Sequence, residues 1–405
     1  MVSRRVKAFT AEPPALVTAH FRVEQRPYHP DKDPGGYVNF GTAENRLVWD
    51  LLAPILTGPR PVTAEDTRYA PLYGAAATRE AIAGYLNRYG GPSVDPDDII
   101  VVSGASAALD IISYILCDPG DAIVVPAPYY GGFDPDLTGR TEARIVPAPL
   151  AYPFWVTGDA VEAAVTQARR DGLTVRAIVL SSPHNPVGHV YPPDTLREVV
   201  EVAERHDLHL VADEIYAGSV FGSRPFTSFR TVTDSPRLHL VWGMAKDFGV
   251  SGFKVGVLHT RDPQVRAAAR ILAGFAPVST DTQVIARRML ANADAFLTES
   301  QRRLGVAYAH ITELLTAHGI PFVPAEGAFA VWVDLRGWLS APTFEAEMEL
   351  WEQVYRAKVS ISPGRTFHSP EPGWFRICFP SDPVVVTEGI TRLGRVLAER
   401  SSTTR

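Results

Sequence analysis

A lone lysine in a loop of small residues is the first candidate for chemistry. Lys246 follows an apolar run in the stretch VWGMAKDFGVSGFKVGVLHT, and a second cation, Lys254, comes later in the same stretch. A lysine in an apolar pocket is driven toward its neutral form, because burial disfavours the ammonium ion. Neutral lysine is a nucleophile that forms Schiff bases with carbonyl cofactors. The alternative is a surface lysine that follows a strand.

Polar residues also follow two other apolar runs. Asn185 comes after AIVLSSPH, and Asp213 and Glu214 end LHLVADE, with Tyr216 just beyond. A carboxylate at the end of a buried strand is costly unless a cation pairs with it, and either a protonated ring nitrogen or an arginine could do so. Asn185 is either an amide donor to a ligand oxygen or an ordinary turn residue.

Three further segments contain residue types that bind ligands. VSGASAAL, with Ser106, reads as a strand, a small-residue turn and a helix start, which together form a weak signal for an anion site. Tyr129 and Tyr130 in APYYGGF could stack on a planar ligand or belong to the core. Arg376 lies in the apolar run WFRICF, where it requires either a bidentate anion such as a carboxylate or an internal ion pair.

The elements that must position these residues alternate between strand and helix from about Thr78 onward. The strand candidates are IIVV, AIVV, ARIV, VRAIVL, LHLVAD, LHLVW and VGVLH, and amphipathic helices lie between several of them. This pattern predicts an α/β fold with a mainly parallel sheet covered by helices. Such sheets bind ligands at the carboxyl ends of their strands, so the polar loops should converge on one site.

The pattern changes after about Thr280. A long helical region at 282–319 leads into FAVWVDLR, a further helix, the strand WFRICF and a final helix. We therefore predict a large domain over residues 56–285 and a smaller α+β domain over residues 1–55 and 286–405.

Composition indicates an ordinary globular protein without special partners. The chain has 405 residues and a formal net charge of −6, which gives no electrostatic case for nucleic acid or an anionic membrane. Cys117 and Cys378 lie in apolar runs and are expected to be buried thiols, with no disulfide and no metal site. The N-terminus is a poor signal peptide and no segment suits a membrane span, so we expect a cytoplasmic location.

The order and spacing of the polar residues are more specific than any one of them. Asn185 precedes Asp213, Asp213 precedes Lys246, and Arg376 follows late in the chain. This arrangement resembles the fold type I pyridoxal-phosphate enzymes of the aspartate aminotransferase superfamily, over nearly the whole chain from about Tyr37 to Arg395. Four runs narrow the resemblance to the branch of 1-aminocyclopropane-1-carboxylate (ACC) synthase: NFGTAENRLVWDLL, LHLVADEIYAGSVF, MAKDFGVSGFKVG and ISPGRTFHSPEPGWFRICF.

The resemblance implies pyridoxal 5′-phosphate as the cofactor and gives each candidate a role. Lys246 would bind the cofactor covalently and act as the catalytic base. The other cofactor contacts would be Asp213 at the pyridine nitrogen, Tyr216 and Asn185 at the phenolic oxygen, Tyr130 on the ring, and Ala105, Ser106 and Lys254 at the phosphate.

The resemblance also implies the substrate contacts and a partner. Arg376 would bind the α-carboxylate of an amino acid, and Glu44 would lie near the sulfonium of S-adenosylmethionine. Tyr69, in YAPLYG, matches the aminotransferase tyrosine that reaches the phosphate of a neighbouring subunit, which implies a homodimer with shared active sites. Tyr73, in the same run, is a further candidate at the substrate.

Three positions depart from the pattern of the synthase branch. Gly243 replaces a serine and Lys254 replaces an arginine, both at the phosphate, and Leu72 replaces a tyrosine at the substrate. Because lysine cannot make the bidentate contact of arginine, we expect weaker cofactor retention than in a typical relative. The histidines His184, His189 and His368 could line the pocket, although a surface position is the simpler interpretation.

Three functions are compatible with these residues. The favoured one is a lyase that consumes S-adenosylmethionine and releases methylthioadenosine, either forming ACC or proceeding by γ-elimination with capture by a second substrate in a biosynthetic pathway. The alternative is a class I/II aminotransferase, which the register of Tyr69 supports. The third, a relative that keeps the fold without the cofactor, fits poorly with the retained Lys246, Asp213 and Arg376.

Overall fold

The computed structural model of the chain describes residues 2, 6–7, 15–60 and 63–403. The α-helices are α1 (Ala15–Glu24), α2 (Trp49–Thr57), α3 (Ala76–Asn87), α4 (Ala105–Leu116), α5 (Gly158–Arg170), α6 (Pro193–Arg205), the short α7 (Met244–Asp247), α8 (Pro263–Leu272), α9 (Thr280–Ala291), α10 (Ala293–Ala317), α11 (Phe344–Arg356) and α12 (Pro383–Thr403).

The strands form three sheets. The strands are β1 (Val38–Asn39), β2 (Ile99–Val102), β3 (Ala122–Ala127), β4 (Arg144–Pro149), β5 (Val175–Ser181), β6 (His209–Asp213), β7 (Leu238–Gly243), β8 (Gly256–Thr260), β9 (Phe322–Val323), β10 (Ala330–Asp334), β11 (Val359–Ser360), β12 (Ser362–Pro363) and β13 (Trp374–Cys378).

The largest sheet has seven strands in the order β2-β8-β7-β6-β5-β3-β4. Neighbouring strands from β7 to β4 are parallel, whereas β8 pairs antiparallel with both β7 and β2. All seven strands occur where the sequence predicts them, and the predicted mainly parallel α/β sheet is confirmed. Because β8 alone runs backwards, its first residues lie at the edge where the other strands end.

The helices between these strands follow the predicted periodicity. The helix predicted over ASAALDIISYIL is α4, and Thr157 is the N-cap of α5, because its hydroxyl accepts a hydrogen bond from the Ala160 amide at 3.2 Å. The prediction of one helical region at 282–319 is wrong in one respect. The backbone of Asn292 leaves the helical region at φ −113°, ψ 17°, so two helices, α9 and α10, replace one.

The remaining strands lie in the C-terminal part of the chain. A four-stranded antiparallel sheet has the order β12-β13-β10-β9, and β1 pairs in parallel with β11, which joins the N-terminal arm to the C-terminal part as expected. The proposed domain limits at 55/56 and 285/286 stay a prediction, and residues 1, 3–5 and 8–14 of the first segment lie outside the described residues. None of the helices in the described ranges combines the length and the apolar character that a membrane crossing requires.

Candidate active site

Lys246 lies in α7, at the carboxyl end of β7. Its Nζ donates a hydrogen bond of 2.6 Å to the carbonyl oxygen of Ala43, which comes from a distant part of the chain. Burial lowers the pKa of Lys246 to about 8, although the nearby Glu44 and Asp213 raise it. A lysine with this pKa is partly neutral near neutral pH, so the amine can act as a nucleophile or a base. This agrees with the interpretation of a desolvated lysine.

Asp247 anchors this short helix. Its carboxylate is buried and accepts hydrogen bonds from Trp242 Nε1 at 2.9 Å, from Ser219 Oγ at 2.8 Å and from Tyr85 OH at 3.1 Å. Three donors from three elements therefore fix the residue next to Lys246. We did not predict this role from the sequence, because an acid beside a lysine gives no sign that it points into the core.

Asp213 and Glu214 are adjacent buried acids in different surroundings. Glu214 accepts hydrogen bonds from Ser228 Oγ at 2.8 and 3.0 Å and from the Phe229 amide at 2.8 Å. Asp213 accepts only a long bond of 3.3 Å from the Ile215 amide among the described residues. Burial raises the pKa of Asp213 to about 7, and the charge of Lys246 only partly offsets this. Asp213 therefore requires a cationic partner that the described residues do not supply in contact with it. We call Asp213, Glu214, Lys246 and Asp247 the sheet-edge cluster.

A second cation lies at the N-terminus of α4. A Cβ added to Gly104, which has φ +96°, would be 3.2 Å from Nζ of Lys254, so this glycine leaves room for the lysine beside the helix start. A cation and the positive end of a helix dipole repel each other unless an anion lies between them. Ala105 and Ser106 form the first turn of the same helix. This arrangement fits the predicted phosphate site.

The structure gives a steric reason for the departure at Gly243. A Cβ at this position would lie 2.8 Å from the carbonyl oxygen of Val255, and one at Gly256 would lie 2.1 Å from the carbonyl carbon of Gly104. The strands β7 and β8 and the loop before α4 therefore approach closely, and the serine of the family pattern would not fit without backbone movement. The weaker cofactor retention expected from this departure stays a prediction.

Arg376 is buried in β13. Its Nη1 donates to Asn185 Oδ1 at 3.2 Å and its Nη2 donates to the carbonyl oxygen of Gly41 at 2.7 Å. Its Nε is buried without a hydrogen-bond partner among the described residues, and its guanidinium lies 4.7 Å from the ring centroid of Phe367. The internal ion pair considered as an alternative is absent from the described contacts. Neutral partners leave the positive charge available for a carboxylate.

Residues 39–46, which we call the N-terminal segment, contact both Arg376 and Lys246. The segment supplies the carbonyl of Gly41 to Arg376 and the carbonyl of Ala43 to Lys246. Side chains of α1 hold the segment in place: His20 Nδ1 lies 2.7 Å from Thr42 Oγ1, and Glu24 accepts from Asn39 at 2.7 Å and from Arg46 at 3.0 Å. Backbone acceptors of this kind leave no side-chain signal in a sequence.

Tyr130 and Tyr216 are also close to the cluster. Burial raises the pKa of Tyr130 to about 12 and raises the pKa of Tyr216, and the charges of Arg376 and Asp213 act on both hydroxyl groups. Asn185 is held by Arg376. The structure therefore brings together the residues predicted for the ring, the ring nitrogen, the phenolic oxygen and the α-carboxylate. Their assignment to individual atoms of a ligand stays a prediction.

Three predicted residues lie apart or form other contacts. Tyr69 is fully exposed in the single chain. The ring of Tyr73 packs between two guanidinium groups, 5.2 Å from that of Arg79 and 4.6 Å from that of Arg270, and not beside Lys246. Glu44 belongs to the N-terminal segment, with Oε2 at 3.4 Å from Arg46 Nη2. Roles for these residues at the substrate or in a partner subunit stay predictions.

The histidines require a correction. His184 and His189 are buried, with 1% and 4% of their surfaces exposed, so a surface position was the wrong interpretation for both. Burial lowers the pKa of His184 to about 3, and His189 stacks on Trp155 with ring centroids 4.2 Å apart. His368 is exposed, as the simpler interpretation predicts, and its Nε2 lies 2.6 Å from Asp134 Oδ2.

The residues present fit pyridoxal phosphate. Asp213 is a buried carboxylate that needs a positive partner, which a protonated pyridine nitrogen would supply. Lys254 and the start of α4 are both positive and would attract an anion, which the phosphate would supply. Lys246 carries a partly neutral amine, which can react with the aldehyde of the cofactor.

Comparisons with known proteins agree with this site. The family model described as aminotransferase class I and II matches residues 61–393. The chain is 36% identical over 377 residues to 1-aminocyclopropane-1-carboxylate synthase 1 of Cucurbita pepo, covering 87% of this chain and 76% of that protein. It is 34% identical over 402 residues to 1-aminocyclopropane-1-carboxylate synthase 2 of Solanum lycopersicum, covering 93% and 83%.

A solved structure supports the same assignment. The aspartate aminotransferase of Thermus thermophilus with maleate superposes with a TM-score of 0.81 at 25% identity, covering 98% of this chain and 99% of that one. Fold, site and relatives thus agree on a pyridoxal-phosphate-dependent enzyme similar to the ACC synthases. The chain belongs to the aminotransferase class I and II family.

Proposed function

We propose that the protein acts on S-adenosylmethionine and releases methylthioadenosine. The observation that carries the proposal is the position of Arg376. No carboxylate among the described residues neutralises its charge, and both Arg376 and Lys246 donate hydrogen bonds to carbonyls of the N-terminal segment. An α-amino acid bound to this arginine would present its Cα toward the lysine side of the site. The similarity to ACC synthases over most of the chain supports this substrate.

Each residue of the proposed site has a defined task. Arg376 binds the α-carboxylate through charge-assisted hydrogen bonds. The amine of Lys246, whose pKa burial lowers to about 8, accepts the proton from Cα. Asp213 keeps the ring nitrogen of the cofactor protonated. When bound, the cofactor supplies an electron sink for the charge that develops at Cα.

The proposed bond changes balance without another reactant. The Cα proton moves to Nζ of Lys246, Cα bonds to Cγ, and the Cγ–S bond breaks as sulfur leaves with the electron pair. Methylthioadenosine departs as a neutral thioether, because the sulfonium charge is cancelled. The carboxylate of Glu44 is our candidate for the residue that faces this sulfonium.

Two variants of the outcome follow from specific residues. Leu72, in place of the synthase tyrosine, is compatible with γ-elimination and capture of the product by a second substrate. The register of Tyr69 and the likeness to an aspartate aminotransferase support transamination as the second candidate function. These outcomes differ in the fate of the Cα charge, and they share the roles of Lys246 and Asp213.

We also propose a homodimer, with cytoplasmic location as a further prediction. Large apolar side chains are exposed on the single chain, including Tyr69 at 100%, Phe275 at 81% and Ile271 at 76%. The segment that contains Phe275 contacts the loop before α4, which is the proposed phosphate site, because Ser103 Oγ donates to the Ala276 carbonyl at 3.0 Å. A second copy covering this surface would place its Tyr69 near the phosphate.

Mass spectrometry tests the reaction directly. The protein loaded with pyridoxal phosphate is incubated with S-adenosylmethionine alone, with Lys246→Ala as the control. Methylthioadenosine plus ACC supports the synthase reaction, and methylthioadenosine with another amino acid supports elimination or capture. Absence of methylthioadenosine contradicts the lyase proposal as stated, and transfer of the amino group to an added keto acid would then favour the aminotransferase.

A further inference from the structure

Asp136 is a half-buried acid to which the proposed cofactor contacts assign no role. It lies in the π-helical turn Asp134–Thr138, which follows the loop of Tyr130. This turn is fastened along α4: Ser113 Oγ donates to the Leu137 carbonyl at 2.5 Å. The turn therefore lies against the helix whose first residues form the proposed phosphate site.

The surroundings of Asp136 come from four elements. Its charge interacts with Ser106 and Asp110 of α4, with Lys254 before β8, with Tyr130 of its own loop and with Asp213 at the end of β6. Its Oδ2 is buried and has no hydrogen-bond partner among the described residues. Burial raises the pKa of Asp136 to about 6, while the Ser106 hydroxyl and the charge of Lys254 lower it.

Asp110 shows the difference that a dedicated partner makes. This neighbouring acid on α4 pairs with Arg140 at 2.8 Å, whereas Asp136 forms no ion pair among the described residues. Asp136 depends instead on Ser106 and Lys254, the same groups that the phosphate would use. A dianionic phosphate would compete for them and would lie close to the carboxylate, and two adjacent anions favour protonation of one.

We propose that Asp136 is a cofactor-binding residue that holds a proton while the phosphate is bound, so that cofactor affinity falls as pH rises. The protonated carboxyl can donate a hydrogen bond where the carboxylate would repel. The inference rests on the phosphate position given under the proposed function. When Asp136 is ionised in the free protein, binding must take up a proton, and each pH unit then weakens binding by up to about tenfold.

The test uses 4-deoxypyridoxine 5′-phosphate, which lacks the aldehyde and cannot react with Lys246. Its Kd is measured by calorimetry for the wild type and for Asp136→Asn. The measurements run from about pH 5.5 to about pH 8.5, because a carboxyl of this kind titrates within that range. We expect the ratio of the wild-type Kd to the variant Kd to rise with pH, by up to about tenfold per unit above pH 6. Other titrating groups cancel in this ratio.

Asp110→Asn is the matched control, and its pH profile should run parallel to that of the wild type. A ratio for Asp136→Asn that does not change with pH would overturn the inference. If Asp136→Asn does not fold, as judged by circular dichroism, Asp136→Ala removes the same charge and must show the same trend.

Two further variants separate this inference from the proposed phosphate site. Ser106→Ala and Lys254→Ala should each weaken binding of the phosphate analogue. If neither changes the Kd, the phosphate lies elsewhere, and both the placement of the cofactor and the role of Asp136 are wrong. If both weaken binding while the ratio for Asp136→Asn stays flat with pH, only the role of Asp136 is wrong.

Discussion

The sheet-edge cluster and the N-terminal segment meet at Lys246 but are held in place by different means. Asp247 and Glu214 of the cluster accept hydrogen bonds from side chains and amides within the core. The N-terminal segment combines core contacts with surface contacts. Phe40 is fully buried and Asn45 donates to Ser300 Oγ at 3.1 Å, whereas the contacts to α1 lie near the surface, such as Glu24 with Arg46, whose side chains are 37% and 41% exposed. The partly exposed contacts to α1 are therefore the ones whose loss should cost least in stability.

Asp213→Asn should show the largest effect of the four substitutions. It should stabilise the cofactor-free protein and weaken binding of the cofactor. The pKa of Asp213 is about 7 in the folded protein against 3.8 ordinarily, so the fold favours the protonated form. The wild type therefore loses stability as pH rises from about 4 to 7 and stays level above that. At roughly 1.4 kcal/mol per pKa unit, the cofactor-free variant should be more stable by up to about 4 kcal/mol at pH 8.

Denaturant unfolding at pH 4 and pH 8 measures this gain, which should be small at the lower pH. In the loaded protein the variant should bind the cofactor more weakly, because the ring nitrogen loses its partner. Equal stability of the two cofactor-free proteins at pH 8 would show that Asp213 already has a sufficient partner within the chain.

Arg376→Lys tests the substrate side. Lysine cannot reproduce the fork that contacts Asn185, Gly41 and a carboxylate together. Loss of a hydrogen bond to a charged group costs about 1.5–3 kcal/mol, so we expect KM for the amino acid to rise roughly 10- to 100-fold. The visible absorbance of the bound cofactor should not change. A change in absorbance with an unchanged KM would place Arg376 on the cofactor side.

Asp247→Asn tests the rigidity of the sheet-edge cluster. An amide cannot accept all three hydrogen bonds from Trp242, Ser219 and Tyr85, so at least one buried donor loses its partner. We expect the free energy of unfolding to fall by about 1–3 kcal/mol and kcat to fall with it, because α7 is no longer fixed. Normal stability in chemical denaturation would remove the argument for an anchoring role.

Glu24→Gln should have the smallest effect and should act on the substrate alone. The variant keeps the shape of Glu24 but weakens its bonds to Asn39 and Arg46, each partly exposed. Exposed ion pairs contribute about 0.2–1 kcal/mol, so we expect KM to rise by roughly two- to fivefold with an unchanged cofactor Kd. Glu24→Asp keeps the charge but shortens the side chain, and it should raise KM by a similar factor if the length of the side chain is needed for these bonds. An altered cofactor Kd in either variant would mean that the two regions are coupled.

The sequence was informative where the signal is local. Asn185, Asp213 and Lys246 each follow an apolar run, and the parallel topology brings strand ends to one edge, so their meeting could be predicted. The seven strands of the large sheet were identified for the same reason. Hydrophobic runs of this length leave few alternatives to buried strands.

The parts that could not be predicted depend on distant segments. The carbonyls of Gly41 and Ala43 carry no side-chain signal, and their contacts to Arg376 and Lys246 join residues far apart in the chain. The burial of His184 depends on how its loop folds inward, which histidine does not indicate by itself. The reversed direction of β8 is also invisible in its composition.

That reversed strand has a consequence for the size of ligand the site accepts. Because β7 ends and β8 begins at the same edge, Lys246 and Lys254 both belong to one short connection between two paired strands. The positions of the two lysines are therefore linked through this one connection. Adding or removing one residue at 247–253 would shift one cation relative to the other and change the length of molecule that both can hold.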